Sequence, residues 1–282
     1  MNRDKLVYCF QDTLILSESE KLRASTVQAV SSSKVYYESS VAINRKINPM
    51  IGDIIVEENT SFASAKEYSK YGKVCVLNFA NPHTPGGGVE NGAMAQEECL
   101  CRSSNLFLCL KSENVFEEYY KYHREIENHF FSDRLIYTKN VTVFKDDSTV
   151  PCLMDEGEWF EVDVITCAAP YLGKRVYTNK KALKELFRGR VKNIFEAAIE
   201  NGAEVIILGA FGCGAFKNPP EIVAEAFYEV IIENEYDRLF KKSYLRLKAQ
   251  MIIIHLNHVR IYLHLKMLFC GAVKRQKDII LV

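Results

Sequence analysis

The amino-acid sequence predicts an α/β fold in which helices pack against a mixed, mostly parallel β-sheet. Apolar runs of strand length, such as KVCVLNFA at 73–80, alternate along the chain with amphipathic helical segments. Two of these runs lead directly into glycine-rich loops, at 85–88 and 209–216, and a helical segment follows each loop. No Ser/Gly/Pro-rich linker and no internal repeat divides the chain, so one domain is the simplest account.

The first part of the chain is predicted to alternate helices with strands. In order, we predict mostly helical structure over 12–40, a strand over 51–56, a helix over 61–70, a strand over 73–80 and a helix over 94–110. Thr60 is expected to cap the second helix, because a threonine hydroxyl accepts a hydrogen bond from a backbone N–H of the first turn. The strand at 73–80 is apolar at successive positions, which is typical of a strand buried on both faces.

The same alternation continues in the second part of the chain. We predict a polar helix over 113–128, strands over 134–138, 141–145 and 160–170, a helix over 180–201, a strand over 204–208, a helix ending near 234 and a strand over 250–256. The helix at 180–201 places its apolar residues on one face. Asn218 is expected to cap the next helix, with Pro219 at its first position.

Charge and cysteine usage limit the possible partners and the compartment. The 36 acidic and 36 basic residues balance, so neither nucleic-acid binding nor membrane binding is predicted. The nine cysteines are odd in number and several lie in apolar runs, which favours free thiols in a reducing compartment. The N-terminus lacks a signal-peptide pattern, and charged and polar residues interrupt the apolar segment 251–270. We therefore expect a cytoplasmic, monomeric protein.

The chemistry is predicted to lie between the two glycine-rich loops. Gly86, Gly87 and Gly88 precede Gln96, Glu97 and Glu98, which open a predicted helix. Three successive glycines let the backbone approach a ligand closely, and adjacent carboxylates suit proton transfer. Both loops follow strands, so they are expected at one sheet edge, where their amides hold a diphosphate. Neither loop matches a Walker A or dinucleotide-binding pattern, which disfavours a nucleotide kinase or a nicotinamide dehydrogenase.

These motifs resemble those of the microbial-type poly(ADP-ribose) glycohydrolases. The resemblance rests on LNFAN-x-x-x-PGGG, QEE-x-L-x-R-S-S-x-L and GAFGCGAF-x-N, and it extends over roughly residues 20–235. It implies a macrodomain-like, three-layer α/β/α fold with an N-terminal helical extension. The expected domain is 1–282, with the extension at 1–50 and an atypical C-terminal segment at 236–282.

The resemblance also implies an activity and a role for each motif residue. The activity is hydrolysis of ribose–ribose bonds in poly(ADP-ribose) or release from ADP-ribosylated protein, with ADP-ribose as product and without a metal or other cofactor. Glu98 would be the general acid and base, while Glu97 would hold ribose hydroxyls and orient the site. The implied substrate-binding residues are Asn81, Gly86, Gly87, Gly88, Val89, Gln96, Gly212, Cys213, Gly214, Ala215 and Phe216. Asn78 is expected to brace the first loop.

Three alternatives stay open at the level of sequence. The chain could bind ADP-ribose without hydrolysing it, remove single ADP-ribose groups from protein or nucleic acid, or serve as an interaction scaffold on a decayed fold. Tyr171 stands where the family pattern has asparagine, so one contact near the site differs. The histidines at positions 83, 255, 258 and 264 are interpreted as structural, because their spacing does not suit a metal site.

Overall fold

The computed structural model describes residues 3–37, 53–57, 59–173, 179–240, 242–246 and 252–253, and their strands form one mixed sheet. The strands are β1 (Lys34–Tyr36), β2 (Asp53–Glu57), β3 (Val74–Phe79), β4 (Leu135–Val143), β5 (Phe160–Cys167), β6 (Val205–Gly209), β7 (Lys242–Arg246) and β8 (Ile252–Ile253). Their order is β1-β4-β5-β3-β6-β7-β2-β8. The run from β5 to β2 is parallel, while β1, β4 and β8 pair antiparallel at the two sides.

Helices lie on both faces of this sheet. They are α1 (Arg3–Ser17), α2 (Arg23–Ser32), α3 (Ser61–Tyr68), α4 (Gln96–Ser103), α5 (Leu106–Leu110), α6 (113–125), α7 (Lys180–Glu200) and α8 (Pro220–Glu233). The middle of α6, Phe116–Lys121, is a π-helix. The short 3₁₀ helices are Ser69–Tyr71, Val89–Asn91, Glu156–Glu158 and Tyr236–Arg238.

The central strand β3 shows how the sheet separates two hydrophobic cores. Successive strand residues point to opposite faces. Cys75 and Leu77 pack in the core that α7 and α8 complete, whereas Val74 and Val76 pack in the core that holds residues of α1 and α3 to α6. Both faces of β3 are therefore covered, which explains its continuous apolar sequence. The predicted α/β fold with a mixed, mostly parallel sheet is confirmed.

Two predicted helices are interrupted. The segment 12–40, predicted as mostly helical, is divided between two helices, since α1 ends at Ser17, α2 follows a turn, and β1 begins at Lys34. The helix predicted over 94–110 breaks at Ser104, which is extended and forms a β-bridge with Val143. In both cases serines at the break hydrogen-bond to nearby backbone, an alternative to continued helix.

The remaining boundaries follow the predictions more closely, with two corrections. The predicted strands 134–138 and 141–145 are one strand, β4, whose pairing shifts around Asn140. The Thr60 cap is confirmed, because its hydroxyl accepts a hydrogen bond from the Ala63 N–H at 3.2 Å. The Asn218 cap is wrong. Pro219 holds the N-cap position of α8, and the Asn218 side chain is used elsewhere.

The C-terminal part differs most from expectation. The sequence did not predict β7, which lies between β6 and β2. The strand predicted over 250–256 is described only at Ile252 and Ile253, and the three histidines at 255, 258 and 264 lie outside the described residues. Within the described ranges, no helix combines the length and apolar character needed to cross a membrane.

Arg190 connects α7 to the sheet edge where β4 begins and β5 ends. Its side chain is 1% exposed. It bonds the Asp133 carboxylate at 3.0 Å and donates to the carbonyls of Ala168 and Phe130 at 2.7 and 2.8 Å. One buried cation thus fixes both the segment before β4 and the segment after β5.

We expect Arg190→Met to lower the free energy of unfolding by about 3 kcal/mol, because it leaves buried carbonyls and a carboxylate without their donor. Urea denaturation measures this change. Lys192→Met on the same helix is the control, since Lys192 is half exposed and meets Glu196 only at 3.9 Å; its expected effect is below about 0.5 kcal/mol. Equal effects of the two substitutions would contradict this role of Arg190.

Candidate active site

The first glycine-rich loop folds back over the start of α4. The N–H of Gly87 donates to Thr84 O at 3.0 Å, and the N–H of Val89 donates to Gly86 O at 3.2 Å. These two turns require left-handed backbone at Gly86 and Gly87, with φ of 66° and 59°. Glycine adopts that conformation without steric cost, whereas other residues do so rarely.

The two glutamates of α4 lie beneath this loop. Glu97 is 3% exposed and Glu98 is 7% exposed. One oxygen of Glu98 accepts from the Gly88 N–H at 2.9 Å and the other from the Ala95 N–H at 2.9 Å. The second bond satisfies a backbone donor at the helix N-terminus, where acidic side chains are stabilised. Both carboxylates therefore lie at an N-terminus and are nearly removed from water.

Gly87 sets the distance between the loop and the carboxylates. A Cβ placed on Gly87 would lie 2.5 Å from Oε1 of Glu98 and 3.1 Å from Oε2 of Glu97. A real Cβ cannot approach an oxygen at 2.5 Å, so any larger residue would displace the loop or the glutamates. The triple glycine is thus needed for close approach to the protein's own acids, as well as to a ligand.

The Glu97 carboxyl has a strongly raised pKa. Its oxygens accept from the Asn81 N–H at 2.7 Å and from Asn78 Nδ2 at 3.4 Å. Burial raises the pKa of Glu97, the hydrogen bond from the Asn81 amide opposes this shift, and the negative charge of Glu98 adds to it, which together give a pKa of about 8.

Gln96 and Asn78 hold the start of α4 against the sheet. The Gln96 side chain accepts from the Phe79 N–H at 2.8 Å and donates to Leu77 O at 2.7 Å. Asn78 is fully buried and also donates to Thr166 Oγ1 at 3.1 Å. These bonds give Gln96 a positioning role in this structure, where the sequence suggested substrate contact. The Asn78 side chain bonds Glu97 and Thr166 of β5, so it braces the acid pair against the sheet.

Asn81 and Val89 shape the two ends of the loop. The Asn81 side-chain oxygen accepts from the N–H groups of His83 and Thr84, which forms an Asx turn. The Val89 side chain is buried in the core beside α1 and α4. Its predicted contact with a ligand could therefore come from backbone only.

The second glycine-rich loop follows β6 and packs on the end of β5. A Cβ on Gly212 would lie 2.4 Å from Ala169 Cβ, and the φ of Gly212 is 73°. Asn218 Nδ2 closes the loop by donating to Pro170 O at 2.7 Å and Gly212 O at 2.9 Å.

The tip of this loop presents free backbone donors. Gly214 and Ala215 are exposed, and no described residue accepts a hydrogen bond from either N–H. Such amides at the carboxyl end of a strand suit an anion. Burial raises the pKa of Cys213, so its thiol stays protonated and is a poor nucleophile.

The two loops lie at one edge of the sheet, as predicted. Strands β3 and β6 are parallel neighbours, so both loops leave from their carboxyl ends. The rings of Phe79 and Phe211, where the loops begin, are 5.9 Å apart. The site therefore combines a buried acid pair with exposed amides.

One site residue was missed by the sequence analysis. Phe131 lies between His83 of the first loop and Phe216 of the second, with ring centroids 5.3 and 6.4 Å away. Phe216 also contacts Tyr171, at 5.4 Å. No motif spacing connects residue 131 with either loop, so only tertiary structure reveals this contact.

We expect the Glu97→Gln substitution to change the pH dependence of stability. The unfolded Glu97 side chain ionises near its ordinary pKa of 4.5, whereas the folded one keeps its proton to about 8. Between these values the unfolded state loses a proton that the folded state retains, so wild-type stability falls as pH rises. The stability of Glu97→Gln relative to wild type should then rise by about 4 kcal/mol from pH 4.5 to 8. Urea denaturation across this range measures it, and a constant difference would contradict the shift.

We expect Gly87→Ala to destabilise the loop by about 1–2 kcal/mol from backbone strain alone, with a further cost from the clash with Glu98. Gly157→Ala is the matched control, because nothing lies within 4 Å of a Cβ at that position. Thermal and urea denaturation of both variants measure the effect. Equal stability of the two variants would show that the loop does not hold Gly87 against the glutamates.

Comparison with protein-family models agrees with this site. The microbial-type PARG catalytic domain, where PARG denotes poly(ADP-ribose) glycohydrolase, matches residues 4–146. This stretch is just over half of the chain and includes the first glycine-rich loop and both glutamates. Comparison with curated proteins finds no match.

Solved structures of bacterial poly(ADP-ribose) glycohydrolases are similar over nearly the whole chain. The enzyme from Thermomonospora curvata is 25% identical with a TM-score of 0.76, and the match covers 92% of this chain and 98% of that chain. Its complex with the inhibitor ADP-HPD is 26% identical with a TM-score of 0.73, covering 92% and 98%. The Deinococcus radiodurans enzyme in complex with ADP-ribose is 26% identical with a TM-score of 0.70, covering 88% and 98%.

The family match and these structural similarities agree with the resemblance that the motifs indicated. They also agree with the geometry, in which a triple-glycine loop covers a glutamate pair at a strand end. The chain belongs to the family of microbial-type poly(ADP-ribose) glycohydrolase catalytic domains.

Proposed function

We propose that this chain hydrolyses the ribose–ribose O-glycosidic bonds of poly(ADP-ribose) and releases ADP-ribose, without a cofactor. The observation that carries the proposal is the buried Glu97–Glu98 pair, held under the Gly86–Gly88 loop and beside a second loop with exposed amides. The related bacterial enzymes, one with ADP-ribose and one with the inhibitor ADP-HPD, support the same substrate class.

ADP-ribose would bind along the edge between the two loops. Its diphosphate would accept hydrogen bonds from the exposed amides of Gly214 and Ala215, with Gly212 and Cys213 forming the turn beneath them. Phe216 would pack on the distal ribose. This arrangement uses backbone donors, which agrees with a chain whose acidic and basic residues balance.

Glu98 would carry out both proton transfers. It protonates the ribose oxygen that leaves the anomeric carbon, and the carbon–oxygen bond breaks as an oxocarbenium-like centre develops. The Glu98 carboxylate then takes a proton from water as that water attacks the same carbon. One carboxylate serves both steps here, unlike the two-carboxylate scheme of most glycosidases.

Glu97 would be protonated near neutral pH, and in this form it would hold the substrate. Burial raises its pKa to about 8, so it can donate a hydrogen bond to a ribose hydroxyl. A neutral Glu97 also avoids adding a negative charge of its own to a site that binds an anionic substrate.

We also propose that the chain acts as one domain in a reducing compartment such as the cytoplasm. The single domain is supported by the sheet, because the strands that carry the site separate two continuous cores. The reducing compartment is supported by the cysteines of the described residues, which are free and mostly buried.

We expect Glu98→Gln to lower ADP-ribose release from poly(ADP-ribose) by at least about 100-fold, because an amide cannot transfer the proton. The variant should still bind ADP-ribose. Glu90→Gln is the matched control, since Glu90 lies exposed in the 3₁₀ helix Val89–Asn91 that follows the triple glycine. Its loss should leave release within about 2-fold of wild type.

Chromatographic measurement of released ADP-ribose and calorimetry of ADP-ribose binding distinguish the outcomes. If the wild type binds ADP-ribose but releases none from the polymer, the chain is a non-catalytic ADP-ribose-binding protein. Release from mono-ADP-ribosylated protein but not from polymer would indicate a mono-ADP-ribosyl hydrolase. Loss of both binding and release in the wild type would leave a scaffold on this fold.

A further inference from the structure

Four aromatic rings form a continuous row beside the proposed site. The row runs from His83 to Phe131, Phe216 and Tyr171, with centroid separations of 5.3, 6.4 and 5.4 Å. These residues come from four separate segments of the chain. Tyr171 is 43% exposed and His83 is exposed, while the two phenylalanines are half-buried. The row therefore presents aromatic surface to solvent.

The row is fixed by its backbone. The N–H of Tyr171 donates to His129 O at 2.9 Å, and the N–H of Leu172 donates to Phe216 O at 3.0 Å. Phe131 has a φ of 59°, a conformation that costs free energy for a residue with a side chain. Such strain persists only where the surrounding structure imposes it, and it is frequent at ligand sites.

The order of the strands places the row on one side of the proposed site. The sheet runs β4-β5-β3-β6 in this region, and the diphosphate would lie between the loops after β3 and β6. Tyr171 follows β5, and Phe131 precedes β4, whose Leu135 pairs with Cys167 at the end of β5. Phe216 reaches from the β6 loop toward them. Through Phe131 and Tyr171 the row thus extends from Phe216 to the β5 side of β3, beyond the proposed diphosphate position.

A substrate bond cut at Glu98 separates two groups that lie on opposite sides of the acid. In the proposed binding mode the released ADP-ribose would lie on the β3–β6 side, so the leaving group would lie on the β5 side. In a ribose–ribose bond of poly(ADP-ribose), the leaving oxygen belongs to the ribose of an adenosine. An adenine is therefore attached to the same ribose that accepts the proton.

Resting on the proposed function, we propose that the Tyr171 end of the aromatic row is a subsite for the adenine of the leaving ADP-ribose unit, with Tyr171 as its stacking residue. Bases stack on exposed aromatic side chains, and such contacts change affinity by about 5-fold to 150-fold per base. The asparagine expected from the family pattern offers no such aromatic face. The subsite favours polymer over a single ADP-ribose on protein, whose leaving group has no base.

Binding in the Glu98→Gln background tests the subsite, because the uncut ligand stays intact. Calorimetry would measure Kd for ADP-ribose and for an oligomer of two ADP-ribose units. Adding Tyr171→Ala should weaken binding of the two-unit oligomer by about 10-fold and change Kd for ADP-ribose by less than about 2-fold. Adding Tyr171→Phe keeps the ring and should restore binding of the oligomer to within about 2-fold.

Tyr71→Ala is the matched control, since Tyr71 is 37% exposed at the opposite, amino-terminal end of β3. It should weaken neither ligand. Equal weakening of both ligands by Tyr171→Ala would overturn the proposal, as would unchanged binding of the oligomer. A wild type that binds both ligands but releases no ADP-ribose would refute the proposed hydrolysis alone, because the two Kd values would still report on the subsite.

Discussion

The structure of the site depends on burying two adjacent carboxylates at the start of one helix. Removing a carboxylate from water is costly unless hydrogen bonds or a proton compensate. Glu98 receives the N–H groups of Gly88 and Ala95, and Glu97 receives that of Asn81. Burial also raises the pKa of Glu97 to about 8, so this carboxyl keeps its proton near neutrality. The turn after β3, the triple glycine and the helix start each supply one of these donors.

The N-terminal helices are part of this arrangement, although the sequence suggested an extension. A Cβ on Gly92 would lie 2.7 Å from Arg3 O, so the first turn of α1 contacts the end of the glycine-rich loop. Thr13 on α1 donates to Arg102 O of α4 at 2.5 Å. The fully buried Arg102 in turn donates to Ala93 O at 2.6 Å, just before α4. Helix α1 thus supports the loop and the helix that hold the acids.

Local sequence signals predicted what local physics determines. The Thr60 cap, the apolar strands and the glycine turns depend on residues near in sequence. The break at Ser104 depends on a bridge to Val143, and β7 (Lys242–Arg246) depends on a place between two parallel strands. Phe131 meets the two loops only because the segment before β4 ends at the same sheet edge. Such long-range contacts leave no periodic pattern, so sequence alone could not give them.

The order of Gln96, Glu97 and Glu98 follows from the same geometry. Successive helical residues are rotated by about 100°, so three neighbours in the first turn point in three directions. Gln96 bonds the backbone of β3, Glu97 bonds the turn that follows β3, and Glu98 bonds the glycine-rich loop and its own N-cap. Each side chain therefore has a different environment, which explains how adjacent, chemically identical glutamates differ in their hydrogen-bond partners. Exchanging Gln96 with either glutamate would bring a carboxylate against the Leu77 carbonyl, where the structure requires a donor.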